Sequence, residues 1–265
     1  GTLPGTRAWK PPKNNYMRSI AFFIVMIGSM LSASAQPRFI TKGKIEFERK
    51  TNMHRLYYSD EEEQGSWSEM MKKLIPQFKI NYFDLVFTEG KTLYKPGRET
   101  EDKRVGFPPP ATENIIFKDL EQHTGVSQKQ VYETQFLILD SLRNVTWKLQ
   151  SEMRTIAGFE CRKAVGRICD SVVVVAFYTD EIVPAGGPES FQGLPGMILG
   201  LAIPRLYTTW FATRVELIET AEESKIVAPS RGRKASRTEM LTKVNDGIKD
   251  WGEKYRDKAL WLTSL

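Results

Sequence analysis

The sequence predicts a mainly β protein: a curved antiparallel sheet or half-barrel with a C-terminal amphipathic helix and one short internal helix. Three observations lead there. Short runs rich in Val, Ile, Phe, Tyr and Thr recur along the chain, parted by Gly, Pro and Asp. Strands and helices do not alternate as a parallel sheet requires. Apolar residues settle into a sustained helical spacing only near the end of the chain.

In order, "KGKIEFER" sets Ile45 and Phe47 between charged neighbours, the alternation of a half-buried strand. Residues 78–87, FKINYFDLVF, and 91–94, KTLY, predict a hairpin across Glu89-Gly90. NIIF, KQVYE, FLILD and VTWKL follow, then FECRKAV, ICDSVVVVAFYT, GMILGLAI and YTTWFATRVELIE. Residues 66–78, SWSEMMKKLIPQF, predict a short helix stopped by Pro76. The charged, Pro-rich residues 96–114 predict a long exposed loop. Near the end, Ser236 and Glu239 have capping-box spacing. Met240, Val244, Ile248, Trp251 and Tyr255 then share one helical face, opposite Lys243, Asp246, Lys249, Asp250 and Glu253.

The start of the chain is of another kind. Met17 and Arg18 precede an apolar run over residues 20–31, and Ala33-Ser34-Ala35 fits a cleavage site before Gln36. The apolar core is about a dozen residues, whereas a span needs about 20. A signal peptide over 17–35, cleaved after Ala35, is therefore expected, with no transmembrane span in the mature chain. Gln36 where a lipoprotein has Cys argues against a lipid anchor. The divisions are then an upstream extension (1–16), the signal peptide, an antiparallel β domain (36–228) and a linker with the C-terminal helix (229–265). Export places the mature protein in the periplasm or outside the cell.

The formal charge is +6. Residues 1–35 hold Arg7, Lys10, Lys13 and Arg18 and no acid, so the rest is nearly balanced. A nucleic-acid partner is not expected from so small an excess.

Chemistry is sparse. His54 and His123 belong to no metal or triad motif, and no phosphate-binding Gly-rich loop is present. The acidic run 59–63 lacks the spacing of a calcium loop. No metal, cofactor or catalytic residue is assigned. Asn144-Val145-Thr146 is a sequon lying in what reads as strand. Cys161 and Cys169 are the only cysteines. If Ala164-Val165-Gly166 forms a three-residue hairpin loop, the two face each other within disulfide range. A slip of one residue would leave two buried thiols instead.

In "GGPESFQGLPGMILGLAI", Pro195 and Gly196 suit the second and third positions of a type II turn, so residues 194–197 reverse the chain into a strand. The loop before it, residues 181–192, leaves the end of the VVVVAFYT strand. "IAGFECRKA", "AFYTDEI" and "GGPESFQGLPGMIL" together resemble the GLPGLI family of exported Bacteroidetes proteins in order and spacing. Trp147-Lys148 and the KGKIEFER opening are also similar, while Gly200 stands where the family pattern has an acid and Cys169 lies outside it. The resemblance implies an exported, mostly β protein, often associated with outer-membrane TonB-dependent receptors, and it brings no catalytic residues.

The leading expectation is a non-catalytic binding or accessory protein of the cell envelope. Tyr178, Glu181, Pro188, Phe191, Leu194, Pro195, Gly196 and Trp210 are expected to line one end of the sheet, holding a small apolar ligand or a partner's segment. Ordinary core packing is the competing reading for each. Two alternatives stand beside it: an envelope hydrolase or thiol enzyme using Cys161 or Asp180 and Glu181, and a structural module docking through its C-terminal helix.

Overall fold

Strand β1 (Gly43–Asn52) buries every second side chain, so Ile45, Phe47, Arg49 and Thr51 face inward. The structure is a computed structural model, and it describes residues 1, 5, 39–58, 66–100, 111–217, 224–250 and 252–265. The predicted signal peptide, the acidic run 59–63 and Trp251 lie outside them. From β1 a meander runs through β2 (Phe78–Phe87), β3 (Lys91–Pro96), β4 (Ile115–Asp119), β5 (Thr124–Val131) and β6 (Thr134–Ser141). A second comprises β7 (Lys148–Ile156), β8 (Phe159–Ile168), β9 (Val172–Thr179), β10 (Met197–Ile203) and β11 (Thr208–Glu216). Neighbouring strands within each are antiparallel.

The pairing of β1 with β11 joins the meanders into one sheet. A short β12 (Arg233–Ala235) adds to β6 in parallel, which makes this open sheet mixed rather than wholly antiparallel. Among the described residues the order is β12-β6-β5-β4-β3-β2-β1-β11-β10-β9-β8-β7. Consecutive strands β6 and β7 thus stand near opposite edges. In a flat sheet with strands about 4.8 Å apart they would be separated by about 48 Å. Residues 142–147, which connect them, reach no further than about 25 Å. The sheet must therefore curl, and this crossing spans the seam between its edges.

Inside the curl pack Phe47, Phe83, Phe87, Tyr94, Phe191 and Trp210, all fully buried. Among the described residues two internal helices, α1 (Met53–Tyr58) and α2 (Ser66–Leu74), stand where a single one was expected. The extra one, α1, continues directly from β1 and buries Met53 and Leu56. The C-terminal helix is two helices. Helix α3 (Arg237–Gly247) starts on the expected capping box, in which Ser236 Oγ accepts from Glu239 N–H at 3.1 Å and Glu239 accepts from Ser236 N–H at 2.7 Å. Its Met240 and Val244, with Ile248 just beyond, pack on Phe136 and Ile138 of β6. Gly247 and Gly252 bracket the break, where helix propensity is low, and α4 (Glu253–Ser264) sends Leu262 and the following Leu265 into the main core.

The disulfide expectation is corrected. Tight reversals fall at Ala157-Gly158 and at Cys169-Asp170, all with positive φ, which leaves β8 an unbroken ten-residue strand. Cys161 lies on it and Cys169 just past its end, eight residues on and about 26 Å away, and both are free thiols. Gly166 serves the crossing rather than a turn. A Cβ there would meet Val145 Cγ1 at 2.6 Å and the Trp147 ring at 2.9 Å. Likewise VTWKL is a strand only from Lys148, and Asn144, Val145 and Thr146 belong to the crossing.

Candidate functional site

The loop between β9 and β10 is fastened by charge. Lys118 sits on β4 in the same inward phase as Ile116 and is 1% exposed. Its ammonium donates to the carbonyls of Gly187, Glu189 and Phe191 at 2.7, 2.9 and 2.8 Å. Burial pushes the Lys118 amine down to about 7, and the nearby Glu189 carboxylate opposes the shift. Three carbonyl acceptors are the coordination an ammonium requires, and they favour its charged form. Glu189 is itself fully buried at positive φ (51°), with Asn114 donating to its Oε2 at 2.9 Å. Burial raises the Glu189 carboxyl, while Arg49 and Asn114 pull it back.

Arg49 completes this interior network. Its guanidinium donates to Ala111 O at 2.9 Å and Thr112 Oγ1 at 2.8 Å, and lies 5.0 Å from the centre of the Phe83 ring. Phe83 stacks on Tyr94 at 4.9 Å, and the Tyr94 hydroxyl accepts from Trp210 Nε1 at 3.1 Å. The loop is also tied to the crossing. Gln192 Nε2 donates to Arg143 O at 2.8 Å, and Trp147 Nε1 donates to Gln192 O at 3.0 Å.

The GLPG reversal is tighter than the type II turn expected. Leu194 O accepts from Gly196 N–H at 2.7 Å, because Met197 N–H is spent on Ile182 O at 3.0 Å. Gly196 has φ 135°, and a Cβ there would lie 2.0 Å from Thr179 O. Of the other expected site residues, Tyr178, Pro188, Phe191, Leu194 and Trp210 are buried, Glu181 is half-buried and Pro195 is exposed. The structure gathers most of them around one loop, yet none lines either cavity described next.

Both cavities lie along the seam. An open groove of about 760 Å³ is lined by Arg143, Lys148, Arg167 and Arg237, with Asp170 the one acid among the described lining residues. That volume falls within the range of small-molecule sites. Lys148 and Arg167 are exposed, and Asn144, Thr146 and Cys169 complete the polar wall. Arg143, Arg237 and Ser264 also line a smaller inner cavity of about 30 Å³. The floor of that cavity is the inward face of β4, β5 and β6, presenting Lys118, Ser127, Lys129 and Asp140.

The cations of the inner cavity are partly spent on the end of α4. Lys129 donates to Thr263 O at 3.0 Å, and Arg143 Nη2 donates to Ser264 O. Cations at a helix C-terminus satisfy carbonyls that have no intrahelical partner. Arg237 pairs with Asp140 at 3.3 Å. Burial pushes the Lys129 amine down to about 7, with Arg143 and Arg237 adding to the shift and Glu189 opposing it. Burial likewise lowers Arg143, to about 10, with Arg237 as the next cause.

Cys161 is fully buried, and burial pushes its thiol up to about 12, so it stays protonated at neutral pH. Asp180 is exposed. Among the described residues no group of three His, Cys, Asp or Glu is placed to hold a metal. No described helix is long and apolar enough to cross a membrane. Arg49, Lys118, Lys129, Arg143 and Glu189 were not anticipated as site residues. For Arg49 and Lys118 the signal was present, since each continues the inward alternation of Ile45-Phe47 or Ile116.

Three comparisons with known proteins bear on this arrangement. None of the curated proteins matches the chain. Among solved structures, PNGF-II is similar in two crystal forms, each at 15% identity and TM-score 0.49, covering 74% and 83% of this chain. The chain spans about a third of that protein's length, 32% and 33% in the two cases. An uncharacterized conserved protein from Thermus thermophilus is similar at 7% identity and TM-score 0.38, over 82% of this chain and 99% of that one. The model of a family of proteins of unknown function, Porph_ging, matches residues 166–200, which run from late β8 through the fastened loop into β10.

Proposed function

We propose that the protein is a non-catalytic binding or accessory protein of the cell envelope, and that its binding surface is the cationic groove along the seam. The observation that carries the reading is the groove itself: Arg143, Lys148, Arg167 and Arg237 face about 760 Å³ of open space against a single acid among the described lining residues. Arg237 is also paired with Asp140, and Arg143, Lys148 and Arg167 remain to concentrate an acidic ligand by their summed potential. This replaces the small apolar ligand expected from the loop aromatics, whose side chains are occupied in the core. The signal-peptide motif over residues 17–35 supports a location outside the cytoplasm for such a protein. An outer-membrane receptor, the partner implied by the GLPGLI resemblance, would present an acidic segment to the same groove. Buried Cys161 offers no competing thiol chemistry.

Calorimetric titration of the full chain with citrate tests the groove as an acid-binding surface. Saturable binding is expected in about 20 mM salt, weakening roughly tenfold by about 200 mM salt as charges are screened. The double variant Lys148→Gln, Arg167→Gln changes only exposed side chains and is expected to lose most of that binding while remaining folded. Absence of saturable binding, or an unaffected double variant, would show that the groove is not the acid-binding surface.

A further inference from the structure

The inner cavity holds more positive charge and more unspent donors than packing the end of α4 requires. Arg143 Nη1 and Ser190 Oγ are both buried with no hydrogen-bond partner. Lys129, 5% exposed, makes one hydrogen bond, to Thr263 O, so two of its three donor positions remain. Lys118 has used all three of its donors on the loop and adds only charge. The acids nearby are Asp140, paired with Arg237, and Glu189, held by Asn114. Among the described residues four cations line the cavity with a single acid; Arg143 and Arg237 disfavour the charge on Lys129, and Arg237 disfavours that on Arg143.

A buried donor left without a partner costs about 1–3 kcal/mol, and crowded like charges add to that cost. The cavity's roughly 30 Å³, counted as space open to the centres of water-sized spheres, admits a water or two, since about 10–15 Å³ on that scale holds one. Water satisfies donors but supplies no negative charge. A carboxylate does both, with two oxygens able to accept from a guanidinium, an ammonium and a hydroxyl together.

We propose that the inner cavity is a subsite for one carboxylate, the acidic end of the ligand in the adjoining groove, held by Arg143 Nη1, Lys129 Nζ and Ser190 Oγ. This assignment rests on the groove as the binding surface and deepens it, because Arg143, Arg237 and Ser264 line both spaces. A ligand of this class is elongated, with one carboxylate leading into the cavity and further acidic groups along the groove.

The probe is acetate, titrated into the full chain with side-chain nitrogens labelled and total ionic strength held constant with sodium chloride. Saturable shifts of the Arg143 guanidinium and Lys129 ammonium resonances are expected with acetate and not with chloride alone. Ser190→Ala is expected to weaken acetate about ten- to a hundredfold, the scale of one lost hydrogen bond to a charged group. Arg143→Met is expected to abolish saturation, and Ser190→Ala keeps the test valid if loss of the guanidinium prevents folding. Shifts that only track ionic strength, or an unaffected Ser190→Ala, would overturn the subsite and leave the cavity to water. If citrate still binds through Lys148 and Arg167 in that case, the groove stands and only the subsite falls. If neither acid binds, both fall.

Discussion

Replacing Lys118 with methionine is expected to lower stability by about 3–5 kcal/mol, the range for removing one partner from a buried charged network. For a unit of this size that is a fall in melting temperature of roughly 10 °C. Methionine fills the volume but offers no donor, so the carbonyls of Gly187, Glu189 and Phe191 lose their shared partner inside the protein. Glu189 also loses one of the cations near it, Arg49 and Lys129 remaining. The loss should concentrate in the loop, with amide hydrogen exchange rising over residues 187–192 before the rest of the sheet. Because Ser190 projects from this loop into the inner cavity, acetate binding should weaken in step. A melting temperature within about 2 °C of the parent would mean that the carbonyls find water and that the lysine is no fastening.

The second large effect is at Gly196. Alanine there places Cβ 2.0 Å from Thr179 O and 2.7 Å from Thr179 C, backbone atoms at the end of β9 that cannot swing aside. Thr179 pairs with Met197 at the mouth of the β9–β10 ladder, so relief requires the two strands to part. A loss above about 4 kcal/mol is expected, in the class reserved for gross steric or backbone conflict. Gly193 supplies the comparison. It too has positive φ, 89°, but nothing lies within 4 Å of a Cβ there. Gly193→Ala should therefore show only the conformational cost, about 1–2 kcal/mol. Urea unfolding of the two variants side by side separates contact from conformation, and equal losses would remove the argument from close approach.

Most of the strands, α2, the capping box and most of the apolar face of α3 were legible in the sequence because each is a local pattern, whereas β12 falls in what was expected to be a linker. Ile45 and Phe47 alternate, Pro76 follows the end of α2, and Ser236 and Glu239 stand three apart. The misplaced hairpin at Ala164-Val165-Gly166 shows the limit of local reading. A glycine in a strand can mark a turn or a close approach, and at Gly166 the approaching group is Val145 and Trp147, some twenty residues away in the chain. The break in the C-terminal helix was marked by Gly247 and Gly252, which an uninterrupted apolar face obscured.

The site was less legible than the fold. Phe191, Leu194 and Trp210 were expected to line one end of the sheet, but apolar residues beside a loop can face a ligand or the core, and these lie in the core. Arg49 and Lys118 carried a readable signal, a cation at the inward phase of an apolar strand. What each one meets depends on strand order. Lys118 reaches the loop only because β4 and the second meander are brought together by the β1–β11 pairing and the curl. The groove needs the same event, since Arg143 is on the crossing, Arg167 on β8 and Arg237 on α3.

The most direct test of that groove is native mass spectrometry of the full chain, purified without denaturation at low salt. Binding of an acidic ligand predicts a protein mass increased by a releasable molecule bearing carboxylates. That increase should be absent from the Lys148→Gln, Arg167→Gln variant prepared in the same way. A bare protein mass, or an adduct retained equally by the variant, would contradict the cationic seam as the place where this protein binds.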